Sequence, residues 1–234
     1  MTFDASDLPE QPGGTAPHVI VDEINRPILS AEDLHHLSKV RRLRDGDLVS
    51  ATDGCGSWRW CVFTNESVEV VGELVRQPEP DPKLTVGFAL VKGSKPELVV
   101  QKLTELGIDT IIPFLAERSV VRWDDAKTER QGERLTKVAR EAAMQSRRVW
   151  LPTIAPVSDL KSLAATPGVV RADRDGAYLT TSNTTVLIGP EGGWSTAESE
   201  LTPTVGLGHN VLRAETAAFA AATMMVALRD GVVS

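Results

Sequence analysis

At 234 residues the chain has room for one large or two small domains, and its 41% hydrophobic content supports a sizeable core and weighs against a disordered polymer. Its two cysteines, Cys55 and Cys61, are too few for a four-ligand metal site and lack zinc-ribbon spacing; two free thiols are the simpler expectation, a disulfide the alternative. The formal net charge of −7 argues against a chain that binds phosphate over its whole surface, so any nucleic-acid contact must come from locally gathered Lys and Arg.

The segment from Met1 to Gly14 is acidic and rich in Pro and Gly, without the basic and apolar regions of a secretory signal. Residues 1–16 are therefore expected to form a disordered extension. Residues 17–77 read as mostly β. Val19 to Val21, Leu48 to Thr52, Trp58 to Thr64 and Val68 to Val75 are strand-like, and Asp53-Gly54-Cys55-Gly56 marks a turn. Ser30 followed by Asp33 resembles a capping box opening a short helix. Short strands around one short helix suggest a small barrel.

Alternating prolines in Gln77-Pro78-Glu79-Pro80-Asp81-Pro82 make an extended, unpaired linker, placed at 78–82. Beyond it, Leu84 to Val91 is a continuous apolar run, as expected of a strand buried on both faces. Pro96 to Leu106 reads as a helix closed by Gly107, Ile108 to Phe114 as a strand, and Ala126 to Gln145 as a long helix. A weak strand at Val169 to Ala172 and a clear one at Thr185 to Ile188 follow. Then come a helix at Thr196 to Leu201, a strand at Thr204 to Leu207 and a helix from Glu215 to Arg229. This alternation predicts an α/β domain over 83–234 with a parallel sheet covered by helices. No run of about 18 apolar residues occurs, so a soluble cytoplasmic protein is expected.

Two segments have the composition of a ligand site. Ile188-Gly189-Pro190-Glu191-Gly192-Gly193-Trp194-Ser195 follows a buried strand, and its glycines let backbone approach a ligand. Alone, an ordinary turn capped by Ser195 accounts for it equally well. Leu207-Gly208-His209-Asn210-Val211-Leu212-Arg213-Ala214-Glu215-Thr216-Ala217 also follows a strand and opens a helix, where free amides are presented. An isolated Arg-x-Glu there would more often be a surface ion pair. Basic residues cluster at Lys39, Arg41, Arg42 and Arg44 and again at Lys137, Arg140, Arg147 and Arg148.

Together the two segments resemble the cofactor pocket of SPOUT methyltransferases. More narrowly, they are similar to the Gly-Pro-Glu-Gly-Gly and Leu-Gly-x-x-Val-Leu-Arg-x-Glu-Thr-Ala motifs of the ribosomal RNA small subunit methyltransferase E family. Four further stretches carry the resemblance: His35 to Asp47, Lys92 to Gly107, Glu117-Arg118-Ser119, and Glu141 to Arg148. One departure is that Ala16-Pro17-His18 stands where the family has a basic residue before its first strand.

The resemblance implies a PUA-like β-barrel over 17–77 that binds RNA, and a SPOUT domain tied in a trefoil knot and working as a homodimer. The implied reaction moves a methyl group from S-adenosyl-L-methionine, leaving S-adenosyl-L-homocysteine, to N3 of uridine 1498 of 16S ribosomal RNA in the 30S subunit, with no metal. It assigns the cofactor to Ile188, Gly189, Pro190, Glu191, Gly192 and Gly193 with Leu207, Gly208, Val211, Leu212, Thr216 and Ala217. Arg213 is expected to steady charge on the uracil oxygens, and Glu215 to orient Arg213 or accept the N3 proton. RNA phosphates would fall to Lys39, Arg41, Arg42, Arg44, Lys92, Arg140, Arg147 and Arg148. His35 and His36 read as packing or local hydrogen-bond residues and not as metal ligands. Methylation of another ribosomal or transfer RNA position, or a non-catalytic ribosome-assembly role, are the competing readings.

Overall fold

The computed structural model describes residues 8–90, 95–119, 121 and 123–233. They form two compact units. The first holds the described residues up to Glu79 together with Ala143–Leu151, and the second holds Pro80–Ala142 and the chain from Pro152 onward.

In the first unit, β1 (His18–Ile20) runs parallel to β2 (Leu48–Thr52), and β3 (Ser57–Thr64) lies antiparallel between β2 and β4 (Ser67–Val70). The expected run from Val68 to Val75 is two strands. Val71 and Gly72 both donate to the Trp60 carbonyl at 3.1 Å, which interrupts the ladder before β5 (Val75–Arg76) rejoins β3. Ser30 caps α1 (Ala31–His35), its hydroxyl accepting the Asp33 amide at 3.0 Å, and a π-turn follows at His36–Val40.

Side-chain alternation in β3 divides the core. Cys61 and Phe63 join Val19, Val49, Ala51 and Leu37 on one face, while Trp58 and Trp60 lie on the other. The second face is closed by Val149 and Trp150. That strip is held by backbone bonds, from Gly56 to the Val149 carbonyl and from Leu151 to the Gly54 carbonyl, both 2.9 Å. The Trp60 indole donates to the Pro9 carbonyl at 2.8 Å, and Leu8 packs beside it. Cys61 is buried and Cys55 exposed, both as free thiols.

The second unit is built on a sheet of order β12-β10-β11-β6-β7-β8, with β9 also paired to β7 and every pairing parallel. The strands are β6 (Thr85–Ala89), β7 (Thr110–Leu115), β8 (Thr153–Ile154), β9 (Ser158–Asp159), β10 (Val169–Ala177), β11 (Thr185–Ile188) and β12 (Thr204–Val205). The helices are α2 (Lys95–Leu106), α3 (Asp125–Ser146), α4 (Leu160–Ala164), α5 (Thr196–Ser199) and α6 (Ala214–Arg229). Parallel strands need crossovers, and crossovers cover both faces. Val86, Phe88, Val186 and Ile188 accordingly pack on one side with Val99, Leu103 and the α6 stripe Ala218, Ala221, Ala222 and Met225. Phe114, Leu187 and Trp194 pack on the other with Leu160 and Leu163 of α4. Phe219, Met224 and Leu228 are half-buried against the first cluster. No helix among the described residues is long and apolar enough to cross a membrane.

Candidate functional site

Because β10, β11 and β12 are parallel, the segments that follow them emerge at one edge of the sheet, the edge where α/β proteins place ligands. They enclose a cavity of about 260 Å³. Ile188, Gly189, Pro190, Glu191 and Gly193 line it from the β11 loop, and Leu207, Gly208, Val211 and Leu212 from the segment after β12. Ala217 of α6 completes the set of expected cofactor residues found there. Gly192 and Thr216, also expected, are not among the lining residues.

The β11 loop rests on Trp194. A Cβ at Gly189 would stand 2.8 Å from the Trp194 ring, so only glycine lets the backbone pass so close. The Trp194 indole donates to the Ala172 carbonyl at 3.0 Å. Gly193, at φ +70°, returns its amide to the Pro190 carbonyl at 2.9 Å. Beyond the loop, Ser195 and Glu198 form a capping box at α5. The buried Glu198 carboxylate also accepts the Glu117 amide at 2.7 Å, and Arg118 donates to the Gly192 carbonyl at 3.2 Å. The Glu117-Arg118-Ser119 step thus buttresses the glycine loop.

Arg213 is the N-cap of α6, in extended conformation and exposed, and its side chain makes no capping bond. Glu215, in the first turn of α6, has a side chain only 15% exposed and is ion-paired with Lys95 at 3.4 Å. Its Oε2 is buried and accepts no hydrogen bond. Among the described residues no hydrogen bond or ion pair joins Arg213 to Glu215. Lys95 also donates to Glu191 at 2.9 Å. That hydrogen bond raises the lysine pKa and holds the Glu191 carboxyl below its ordinary range.

A third wall escaped the sequence reading. Ala172, Asp173 and Arg174 of β10 line the cavity, as do Trp194, Asn210 and Ala214. Arg171, buried behind them, donates to Asp173 at 2.6 Å. Charged residues at the carboxyl end of a strand were the available signal. Walls of Ile188, Leu207, Val211 and Leu212 suit an apolar ring, and the Asp173 and Glu191 carboxylates suit a ligand with positive charge. The residues present therefore fit a sulfonium nucleoside.

Among the described residues, none of the Lys and Arg expected to meet RNA phosphates lines this cavity. Lys39, Arg41, Arg42 and Arg44 are exposed on and after the π-turn of the first unit, with Arg42 at φ +55°. Arg41 donates to the Thr15 carbonyl at 3.2 Å, and Arg147 to the adjoining Gly14 carbonyl, so the structure brings members of the two clusters onto one short stretch of backbone. Arg148 is half-buried in the same unit; Arg140 lies on α3 in the second. Lys92 lies outside the described residues. His18 does not stand in for the missing basic residue. It is 5% exposed, its Nδ1 meets the Ser50 hydroxyl at 2.8 Å and its Nε2 donates to the Arg148 carbonyl at 3.2 Å. Burial pulls its pKa from 6.5 down to about 4, so it is neutral at pH 7.

Comparison with known proteins bears on this geometry. The RNA methyltransferase domain family matches residues 77–226. Ribosomal RNA small subunit methyltransferase E of Bacillus subtilis is 34% identical over 222 residues, 81% of this chain and 85% of the relative. A Thermotoga maritima structure described as a predicted RNA methyltransferase superposes with TM-score 0.71 at 28% identity, covering 93% of this chain and all of its own. The Neisseria gonorrhoeae ribosomal RNA small subunit methyltransferase E, solved bound to S-adenosyl methionine, shares the fold with TM-score 0.77 at 22% identity, covering 91% and 98%.

Proposed function

The chain belongs to the ribosomal RNA small subunit methyltransferase E family, and from that premise we propose that it methylates N3 of uridine 1498 of 16S ribosomal RNA in the 30S subunit, using S-adenosylmethionine. One observation carries the reading: two glycine-bearing segments, Gly189 to Gly193 and Leu207 to Leu212, converge on one cavity at the carboxyl edge of a parallel sheet. Residues 17–77 act as a PUA-like RNA-binding barrel and 83–234 as a SPOUT domain with a trefoil knot, working as a homodimer in the cytoplasm.

The bound cofactor supplies an electrophilic methyl group. The apolar walls and the backbone of the two segments would hold its nucleoside, with Asp173 and Glu191 available to its positive charge. The uridine leaves its stack to reach the site. Its N3 becomes nucleophilic when the proton is lost, and negative charge spreads to the uracil oxygens. Arg213, exposed at the opening of α6, donates to them. Of the two roles open to Glu215, the absence of any bond to Arg213 favours accepting the proton, on a carboxylate whose Oε2 faces the Lys95 ammonium at 3.4 Å.

The test is methylation of 30S subunits from a strain lacking the enzyme, with the modified base mapped by mass spectrometry. The expected product is 3-methyluridine at the single site; a ribose or transfer-RNA product overturns the assignment. Arg213→Ala should lose about 100-fold or more in turnover while still binding cofactor; unchanged turnover removes its role.

A further inference from the structure

We propose that Lys95 is a positioning residue that fastens the two walls of the cofactor cavity to each other, an inference that rests on the cofactor reading above. The walls are two separate segments, within 188–194 and 207–217, and consist largely of glycine and apolar residues, which offer one another few directional contacts. Lys95 begins α2, which belongs to neither wall. Its ammonium reaches Glu191 of the β11 loop at 2.9 Å and Glu215 in the first turn of α6 at 3.4 Å. Glu191 lines the cavity, and Glu215 directly follows Ala214, which also lines it.

Both carboxylates touch one nitrogen, so their nearer oxygens lie within about 6.3 Å of each other, the sum of the two distances. Take the cation away and two like charges face each other across the rim. An ammonium with three N–H donors on a flexible stem can serve two acceptors at once, and a guanidinium can do the same through its fork. A neutral side chain of similar length can serve neither. Lys95 is more than a third exposed and its first partner about half, so the bridge adds little to global stability. Its effect falls on the geometry of the rim.

The experiment is calorimetric titration of the full-length chain with S-adenosylhomocysteine, beside steady-state methylation of 30S subunits and thermal melts. Lys95→Met should weaken ligand binding roughly tenfold or more and raise KM for S-adenosylmethionine by a similar factor, with the melting temperature within about 2 °C of wild type. Lys95→Arg should restore binding to within about threefold. Combining Lys95→Met with Glu191→Gln should weaken binding no further than the worse single change, because both remove one contact. Wild-type-like binding by Lys95→Met, or penalties that multiply in the double variant, overturns the fastening role while leaving the cofactor reading intact. A wild-type chain that binds neither S-adenosylhomocysteine nor S-adenosylmethionine overturns both.

Discussion

Phe114 of β7 and Trp194 of the β11 loop lie ring upon ring, their centroids 6.1 Å apart and their planes 6° from parallel. Phe114 is fully buried, so the indole above it has a fixed floor. Gly189 passes over the other part of that indole, within a distance no Cβ tolerates. The position of the cofactor loop is therefore set by an aromatic pair that reaches it from the core.

Trp194→Ala should remove the floor and open a cavity, costing about 3 kcal/mol in urea unfolding. Gly189→Ala should be milder in stability, about 1–2 kcal/mol, because ring and loop can part slightly. It should weaken S-adenosylhomocysteine binding about tenfold by calorimetry, since the backbone that parts is the cavity wall. Equal affinity in Gly189→Ala and wild type would mean that the loop backbone is not in contact with the ligand.

Arg229, in the last turn of α6, donates to Asp109 at 2.7 Å, with side chains 11% and 9% exposed, and the same carboxylate accepts the Leu84 amide at 2.9 Å. Arg229→Ala removes a short ion pair from a largely buried carboxylate and should cost about 3 kcal/mol. Asp109→Asn should cost less, because an amide oxygen still accepts from Leu84. Chemical denaturation of the two variants reads the order directly.

His18 should make stability fall in mild acid. The unfolded imidazole takes up a proton below about pH 6.5, whereas the folded one, desolvated by burial, does so only below about 4. Between those values the unfolded state binds more protons, so stability drops as pH is lowered through that window, by up to about 3 kcal/mol from this group alone. His18→Gln should flatten that part of the curve relative to wild type in urea titrations at pH 7.5, 6 and 5. Parallel curves would place the acid sensitivity elsewhere.

For RNA, the affinity for 30S subunits should fall steeply with salt. Arg41→Ala and Arg147→Ala should each weaken binding and lower the salt slope by about one, without changing the modified base. In the free protein both guanidiniums hold carbonyls of Gly14 and Thr15, so phosphate must compete with those bonds. A salt slope untouched by either substitution would remove these two arginines from the RNA path.

The strands at Thr85–Ala89 and Thr185–Ile188 were legible because burial on both faces leaves an unbroken apolar run. The glycine loop was legible because three glycines and a proline demand unusual backbone. By contrast, β8, β9 and α4 over 153–164 are too short to show a period, and they sit among Pro152 and Pro156. Asp173 read as one charge among several at 171–175, and only the strand order places it beside Gly189. Lys95 resembled any lysine at a helix start, since its partners lie 96 and 120 positions along the chain. Side-chain meetings across such separations leave no local periodicity to read.

Ala143–Leu151 belongs to the N-terminal unit, where Val149 and Trp150 pack on Trp58 and Trp60. Synthesis on the ribosome is vectorial, and this strip emerges long after the strands it covers. The N-terminal unit must therefore wait, with two tryptophans only partly covered, until residue 151 has been made. A gene fragment cut at the proline run would make that wait permanent, yielding a sticky, half-clad sheet instead of an autonomous RNA-binding module.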